Sequence, residues 1–177
     1  MVINNITVRR ATYEDSATIS DIERQAASLF PEKLLPKTLG DQTLSTYEIE
    51  SGIQEQQLWV AESDQKLVGF ALIRRLNQLM LLAEIDVLPK YNGQGIASTL
   101  LSLIIEQLAQ NKETALYLTT FRDFMPSRKL YDKFGFVILQ PDDIPDELRK
   151  ILAKEMAAGL GARIAMKLTI NPKINRK

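Results

Sequence analysis

The chain has 177 residues, 45% of them hydrophobic, with 22 basic and 22 acidic side chains, which suits one compact domain with a substantial core and no net charge. That balance removes the electrostatic case for sequence-independent nucleic-acid binding or a polybasic membrane patch. No apolar run approaches a membrane span and Met1–Arg10 lacks a signal-peptide core, so a cytoplasmic protein is expected. Cysteine and histidine are both absent, which excludes a disulfide, a thiolate nucleophile, a Ser-His-Asp triad and a zinc site of the usual ligands; no metal is expected. Acid and base roles then fall to Asp, Glu, Tyr or an ordered water.

Ile6–Arg10 alternates and is rich in β-branched residues, which predicts a first strand. Asp15 or Ser16 then caps a helix whose apolar stripe is Ile19, Ile22, Ala26, Leu29 and Phe30. Glu23 falls at the edge of that stripe. It points outward along the margin or faces a cavity that holds a cation. Pro31–Pro36 breaks the helix, residues 35–39 read as a loop, and a weaker helix follows over about Ser45–Ile53. Next come strands at 57–62 and 67–73 around a turn at 63–66, then a turn at Asn77-Gln78 into a strand at 80–88, an antiparallel meander.

In that last strand Leu81, Ala83, Ile85 and Val87 alternate onto a dry face and put Glu84 and Asp86 together on the other. From Ile96 the period changes, since Ile96, Leu100, Leu103, Ile104 and Leu108 recur at helical spacing. Strand hands over to helix across Asn92, Gly93, Gln94 and Gly95. Backbone N–H groups in a first helical turn lack intrahelical partners and carry the positive end of the dipole, so a glycine-bearing entry lets a pyrophosphate approach them. A nucleotide-hydrolase phosphate loop would need Gly-Lys-Ser/Thr, which does not occur here. A dinucleotide fingerprint would need a third glycine where Ser98 stands; Glu113 could serve as its ribose carboxylate, but the preceding meander makes this a poor second.

After the long helix, residues 114–119 form a buried strand reached by a crossover, hence parallel to the strand at 80–88. A loop at 121–125 leads to Pro126 and a short helix over 127–133 stopped at Gly135. A further helix runs from about Asp143 to Ala158 and ends at Gly159; residues 162–170 make a closing strand, and 171–177 a basic, poorly ordered tail after one domain at 1–170.

The segment Asn92-Gly93-Gln94-Gly95-Ile96-Ala97 resembles the acetyl-CoA signature of the GCN5-related N-acetyltransferase family: Arg or Gln, two residues, Gly, one residue, then Gly or Ala. The match is to Gly95 and Ala97, and Asn92 stands where the family usually has Arg or Gln. Leu130-Tyr131-Asp132-Lys133-Phe134-Gly135-Phe136 resembles a second signature of the family, a short helix bearing Tyr that runs into Gly-Phe. Phe124 and Ser127 occupy positions where the family often has Asn and Ala. The resemblance implies an α+β acyl-CoA N-acyltransferase fold, a mixed and mostly antiparallel sheet whose central strands splay to admit pantetheine.

It further implies that acetyl-CoA lies along Ile85, Asp86, Val87 and Leu88, with its phosphates at Asn92, Gly93, Gln94, Gly95, Ile96, Ala97 and Ser98, and with Ser127 and Tyr131 beside its arm. A backbone N–H near Val87 would polarise the acetyl carbonyl. Tyr131 matches the family's usual proton donor to the departing thiolate. With no cysteine, transfer to the amine is direct, within a ternary complex. A free alkylammonium has a pKa of roughly 10 and must lose a proton. Glu84 and Asp86, with Cα atoms about 7 Å apart on one strand face, are the candidates, one to bind the ammonium and the other, through water, to accept its proton; the alternative is two solvated carboxylates on an open sheet face. Glu23 and Asp123 are expected to join them around the acceptor, which would make it a small cationic amine. A peptide N-terminus is the alternative acceptor, a non-catalytic CoA-binding sensor the alternative function, and a homodimer stays open as the assembly.

Overall fold

The structure, a computed structural model, describes residues 6–171. Apart from Asn171, the tail expected at 171–177 lies outside the described residues. Seven strands form one sheet: β1 (Ile6–Arg10), β2 (Leu58–Ser63), β3 (Lys66–Leu76), β4 (Leu79–Val87), β5 (Ala115–Phe121), β6 (Val137–Ile138) and β7 (Arg163–Thr169), in the order β1-β2-β3-β4-β5-β7-β6. Among the described residues only β4 and β5 run parallel. The β2–β3 hairpin turns on Asp64 and Gln65 at φ 49° and 61°, the left-handed pair that lets a two-residue loop follow the strand twist.

Among the described residues six α-helices accompany the sheet: α1 (Ser16–Ala27), α2 (Lys37–Gly40), α3 (Thr46–Gln54), α4 (Ile96–Gln110), α5 (Met125–Phe134) and α6 (Asp146–Ala157). On one face Ile19 and Ile22 of α1 and Ile49 of α3 bury against Leu58, Val60, Phe70 and Leu72. On the other, Ile96, Leu100, Ile104 and Leu108 of α4 close over Ala71, Ile73, Met80 and Leu82. Each fully buried Leu or Ile contributes roughly 1.5–3 kcal/mol. α6 packs against β5 and β7. This single α+β domain with helices on both faces is the architecture expected from the sequence.

Several local expectations are corrected. α2 replaces part of the loop expected at 35–39: Leu39 and Gly40 both donate to the Pro36 carbonyl, at 2.8 and 3.1 Å, a lone turn too short to leave a periodic signal. Asp15 precedes α1 but makes no side-chain cap there. Its carboxylate instead takes both Arg9 guanidinium nitrogens, at 2.7 and 3.0 Å. α3 carries the true capping box, in which Ser45 Oγ accepts from Glu48 N–H at 3.2 Å and Glu48 accepts from Ser45 N–H at 2.7 Å.

The simple alternation along β4 fails at Ala83. Leu72 pairs with Glu84 but Ile73 pairs with Leu82, so Ala83 is an extra residue, a bulge. It reverses the parity of the strand. Met80 and Leu82, then Ile85 and Val87, pack on the α4 side, while Ala83 joins the α1 side and is not part of the dry face containing Ile85 and Val87.

The bulged stretch borders a gap. β4 and β5 pair only at Leu81 and Tyr117. Leu88 N–H donates to Val68 O at 2.8 Å, which fixes the alternation of the β3–β4 ladder. Counting back in steps of two, Asp86 and Glu84 bond to β3, and the backbone groups of Ile85 and Val87 face the opposite edge, where β5 has parted from β4. Of the four residues expected along acetyl-CoA, Asp86 and Leu88 thus have their backbone groups committed to β3, and Ile85 and Val87 alone face the gap.

Candidate active site

A one-turn 3-10 segment, Pro89–Tyr91, ends β4 and leads into the glycine turn. Gly93 and Gly95 sit at φ 77° and 84°, the left-handed region that side chains with a Cβ disfavour, and a Cβ on either would meet nothing within 4 Å. Backbone conformation therefore demands glycine, and the open space permits a phosphate to come close. The first bond of α4 runs from Thr99 N–H to Gly95 O at 2.9 Å, so the N–H groups of Ile96, Ala97 and Ser98 have no intrahelical partner.

A cleft of about 700 Å³ runs from this turn past Ile85, Asp86 and Val87 to Tyr131. Asn92, Gly93, Gly95, Ile96, Ala97, Ser98 and Ser127 also form its wall, so most of the residues expected to hold the cofactor lie along one channel. Gln94 and Leu88 are not in that wall; Gln94 donates to the Lys90 carbonyl at 3.3 Å. Donors at one end, a widened strand gap along the middle and ample volume fit a nucleotide joined to an extended amide-bearing arm.

On the α1 side, Glu84 and Asp86 stand beside Glu23. All three keep some solvent contact, but protein surrounds them closely enough to make the charged state costly. Burial raises Glu23 to about 7, helped by the nearby Glu84 charge and opposed by the Leu44 N–H, which donates to it at 2.8 Å. Burial also raises Glu84 to about 7; Arg163 opposes this, Glu155 adds to it, and hydrogen bonding from Asp86 opposes it. Asp86 is raised well above the usual carboxylate range by burial, by the charges of Glu84 and Glu23, and by its hydrogen bond to Glu84. Burial and mutual repulsion therefore disfavour charge on both Glu84 and Asp86 at once.

Tyr131 comes to this pair from the opposite wall. Residues Leu130, Tyr131 and Phe134 pack α5 on the core, Gly135 at φ 86° stops the helix, and Phe136 meets the Tyr131 ring at 5.6 Å. Burial and the Glu84 and Asp86 charges push the phenol above its ordinary pKa, against Arg163, so it stays protonated at neutral pH. Tyr131 and Asp86 line the same cleft.

Asp123 does not join the cluster. It is exposed, outside the cleft wall, and not among the charges felt by Glu23, Glu84 or Asp86. The inward positions around it belong to Phe121 and Phe124, whose rings lie 5.2 and 4.5 Å from that of Phe30. Two charges missed in the sequence reading do bear on Glu84, namely Glu155 of α6 and Arg163 of β7. Arg163 donates to both Glu155 oxygens, at 3.0 and 2.9 Å, and to Thr119 Oγ1 at 3.1 Å. The signal was there, since Glu155 falls two helical turns after the buried Leu148, on the inward stripe of α6.

The model of the Acetyltransferase (GNAT) family matches residues 21–136. The chain belongs to this family. It is 30% identical over 122 residues, 69% of this chain and 75% of the relative, to the [Ribosomal protein bS18]-alanine N-acetyltransferase of Haemophilus influenzae. The crystal structure of the ribosomal-protein-S18-alanine N-acetyltransferase from Escherichia coli has the same fold, with TM-score 0.68 at 20% identity over 97% of this chain and 98% of that one. So does a putative acetyltransferase from Salmonella typhimurium with its cofactor acetyl-CoA, with TM-score 0.67 at 18% identity over 98% of each chain. This GNAT protein is an N-acetyltransferase and acetyl-CoA is its cosubstrate. Among the described residues, no helix is long and apolar enough to cross a membrane.

Proposed function

We propose that this acetyltransferase modifies the primary amine of a small cationic compound, received at Glu84, Asp86 and Glu23. The observation that carries the reading is that three carboxyl groups from α1 and β4 act on one another, with Asp86 in the wall of the cleft that Tyr131 also lines and Glu84 and Glu23 behind it. Such a cluster destabilises its own negative charge and is relieved by an incoming ammonium.

Acetyl-CoA supplies an acetyl group activated as a thioester. The chain's part is to position and to move protons. The N–H groups of Ile96, Ala97 and Ser98 hold phosphate, and the gap-facing backbone of Ile85 and Val87 bonds the amides of the arm. Val87 N–H polarises the acetyl carbonyl. Near neutral pH Glu84, titrating at about 7, takes a proton from the bound ammonium, and the free amine attacks the acetyl carbonyl carbon to form the C–N bond as the C–S bond breaks. Tyr131, protonated throughout that range, gives its proton to the departing sulfur.

The test compares kcat/KM for a diamine and a monoamine of equal length at fixed ionic strength. Each well-placed carboxylate contributes on the order of 1–3 kcal/mol against a neutral analogue, so the diamine is expected to win by about tenfold or more. Equal values, or a preference for the monoamine, would overturn the cationic acceptor. A peptide N-terminus is the second reading, favoured by the 30% identity to an alanine N-acetyltransferase of a ribosomal protein. A peptide with N-terminal alanine forms the third arm, and a kcat/KM above that of every diamine would replace the first reading with the second.

A further inference from the structure

The glycine turn offers backbone donors but brings little positive charge to a ligand with a diphosphate and a 3′-phosphate, about four negative charges in all. Asn92, Gly93, Gln94 and Gly95 are neutral, and the Lys90 ammonium lies 5.7 Å from the centre of the Tyr91 ring. The facing wall of the cleft is different. Lys129 and Lys133 of α5 both line it, one helical turn apart on one face of the helix. Their α5 neighbours Arg128 and Asp132 approach each other at 3.6 Å. Among the described residues no acidic side chain pairs with either lysine, and Lys133 meets only the Phe134 ring, at 6.0 Å. The one carboxylate in the cleft wall is Asp86, at its inner end.

We propose that Lys129 and Lys133 bind the phosphate groups of acetyl-CoA from the α5 side, supplying the positive charge that the Asn92-containing turn does not. An exposed lysine on a helix is ordinarily solvated and does nothing specific. These two differ in sharing a cleft with the unpaired N–H groups of α4, so that an anion held by the turn lies between two electropositive walls. Their placement beside Tyr131 also couples cofactor binding to the helix that carries the proton donor.

The experiment is calorimetric titration of CoA and of 3′-dephospho-CoA into the wild type, Lys129→Met, Lys133→Met and the double variant, at low and high salt. Lys150→Met on α6 controls for the change in overall charge. The double variant is expected to bind CoA about tenfold more weakly at low salt, with a shallower salt dependence, while Lys150→Met matches the wild type. If dephospho-CoA is bound equally by wild type and double variant, the lysines hold the 3′-phosphate. If both ligands weaken together and both salt dependences flatten, they hold the diphosphate; either result supports the proposal. Unchanged CoA affinity would overturn it. So would a loss with unaltered salt dependence, or an equal loss in Lys150→Met.

Discussion

Asp15 and Glu84 are both carboxylates drawn out of open water, in one sheet protein, and their surroundings push them in opposite directions. Burial alone would raise Asp15, but Arg9 binds it through two nitrogens and Thr12 N–H donates to it, so its pKa falls below the ordinary value. Arg9 also reaches Glu62, at 2.7 Å, and ties β1, β2 and the entry to α1 together. Burial raises Glu84 too, and there the charge that opposes it, Arg163, is already bound to both oxygens of Glu155, whose own charge pushes Glu84 further up. A cation dedicated to a carboxylate makes a brace; a carboxylate left among its own kind makes a site that waits for a cation.

Glu84→Gln should separate the two regions most sharply. It removes the proposed base and is expected to lower turnover at pH 7 by roughly 10²–10³-fold. Activity within tenfold of wild type would return the role to Asp86 or to water. Tyr131→Phe should lower turnover by roughly 10²-fold while leaving acetyl-CoA affinity nearly unchanged, as loss of a general acid does. Wild-type turnover would make Tyr131 a packing residue only. Asp15→Ala addresses the brace. It should destabilise by about 1–3 kcal/mol in urea melts, less than a fully buried pair because the Arg9 side chain is 36% exposed, and should leave the pH profile of turnover unchanged. A shifted profile would mean that the two carboxylate regions are not independent.

The smallest effect concerns stability. With a folded-state pKa of about 7 against an ordinary 4.5, Glu84 holds a proton that the unfolded chain has lost between those values. Its contribution to stability is present below pH 4.5 and is lost as pH rises through 7. Glu84→Gln should therefore raise Tm relative to wild type at pH 8 and leave it unchanged at pH 4. A gain at both pH values would point to packing instead of charge.

What could be read from the sequence was local. α4 follows from its apolar period, the glycine turn from the change of period before it, and the end of α5 from Gly135, each within about ten residues of chain. What escaped depends on partners. The Ala83 bulge exists only relative to β3, so the alternation of β4 looked regular until the register was known. Asp123 stood in a plausible loop, but Phe121 and Phe124 claimed the inward positions by stacking on Phe30, a residue 91 positions before Phe121. Glu155 and Arg163 reach Glu84 because β7 inserts between β5 and β6, a strand order that no local pattern encodes.

Burial, with no cation held by either group alone to offset it, lifts Glu84 and Glu23 towards neutrality. The direct measurement is ¹³C NMR titration of the glutamate side-chain carboxyls, with Glu84→Gln and Glu23→Gln to assign the two resonances. The account expects both midpoints at about 7, and a lower Glu23 midpoint in Glu84→Gln, where the neighbouring charge is gone. Midpoints near the ordinary 4.5 for both residues would contradict it.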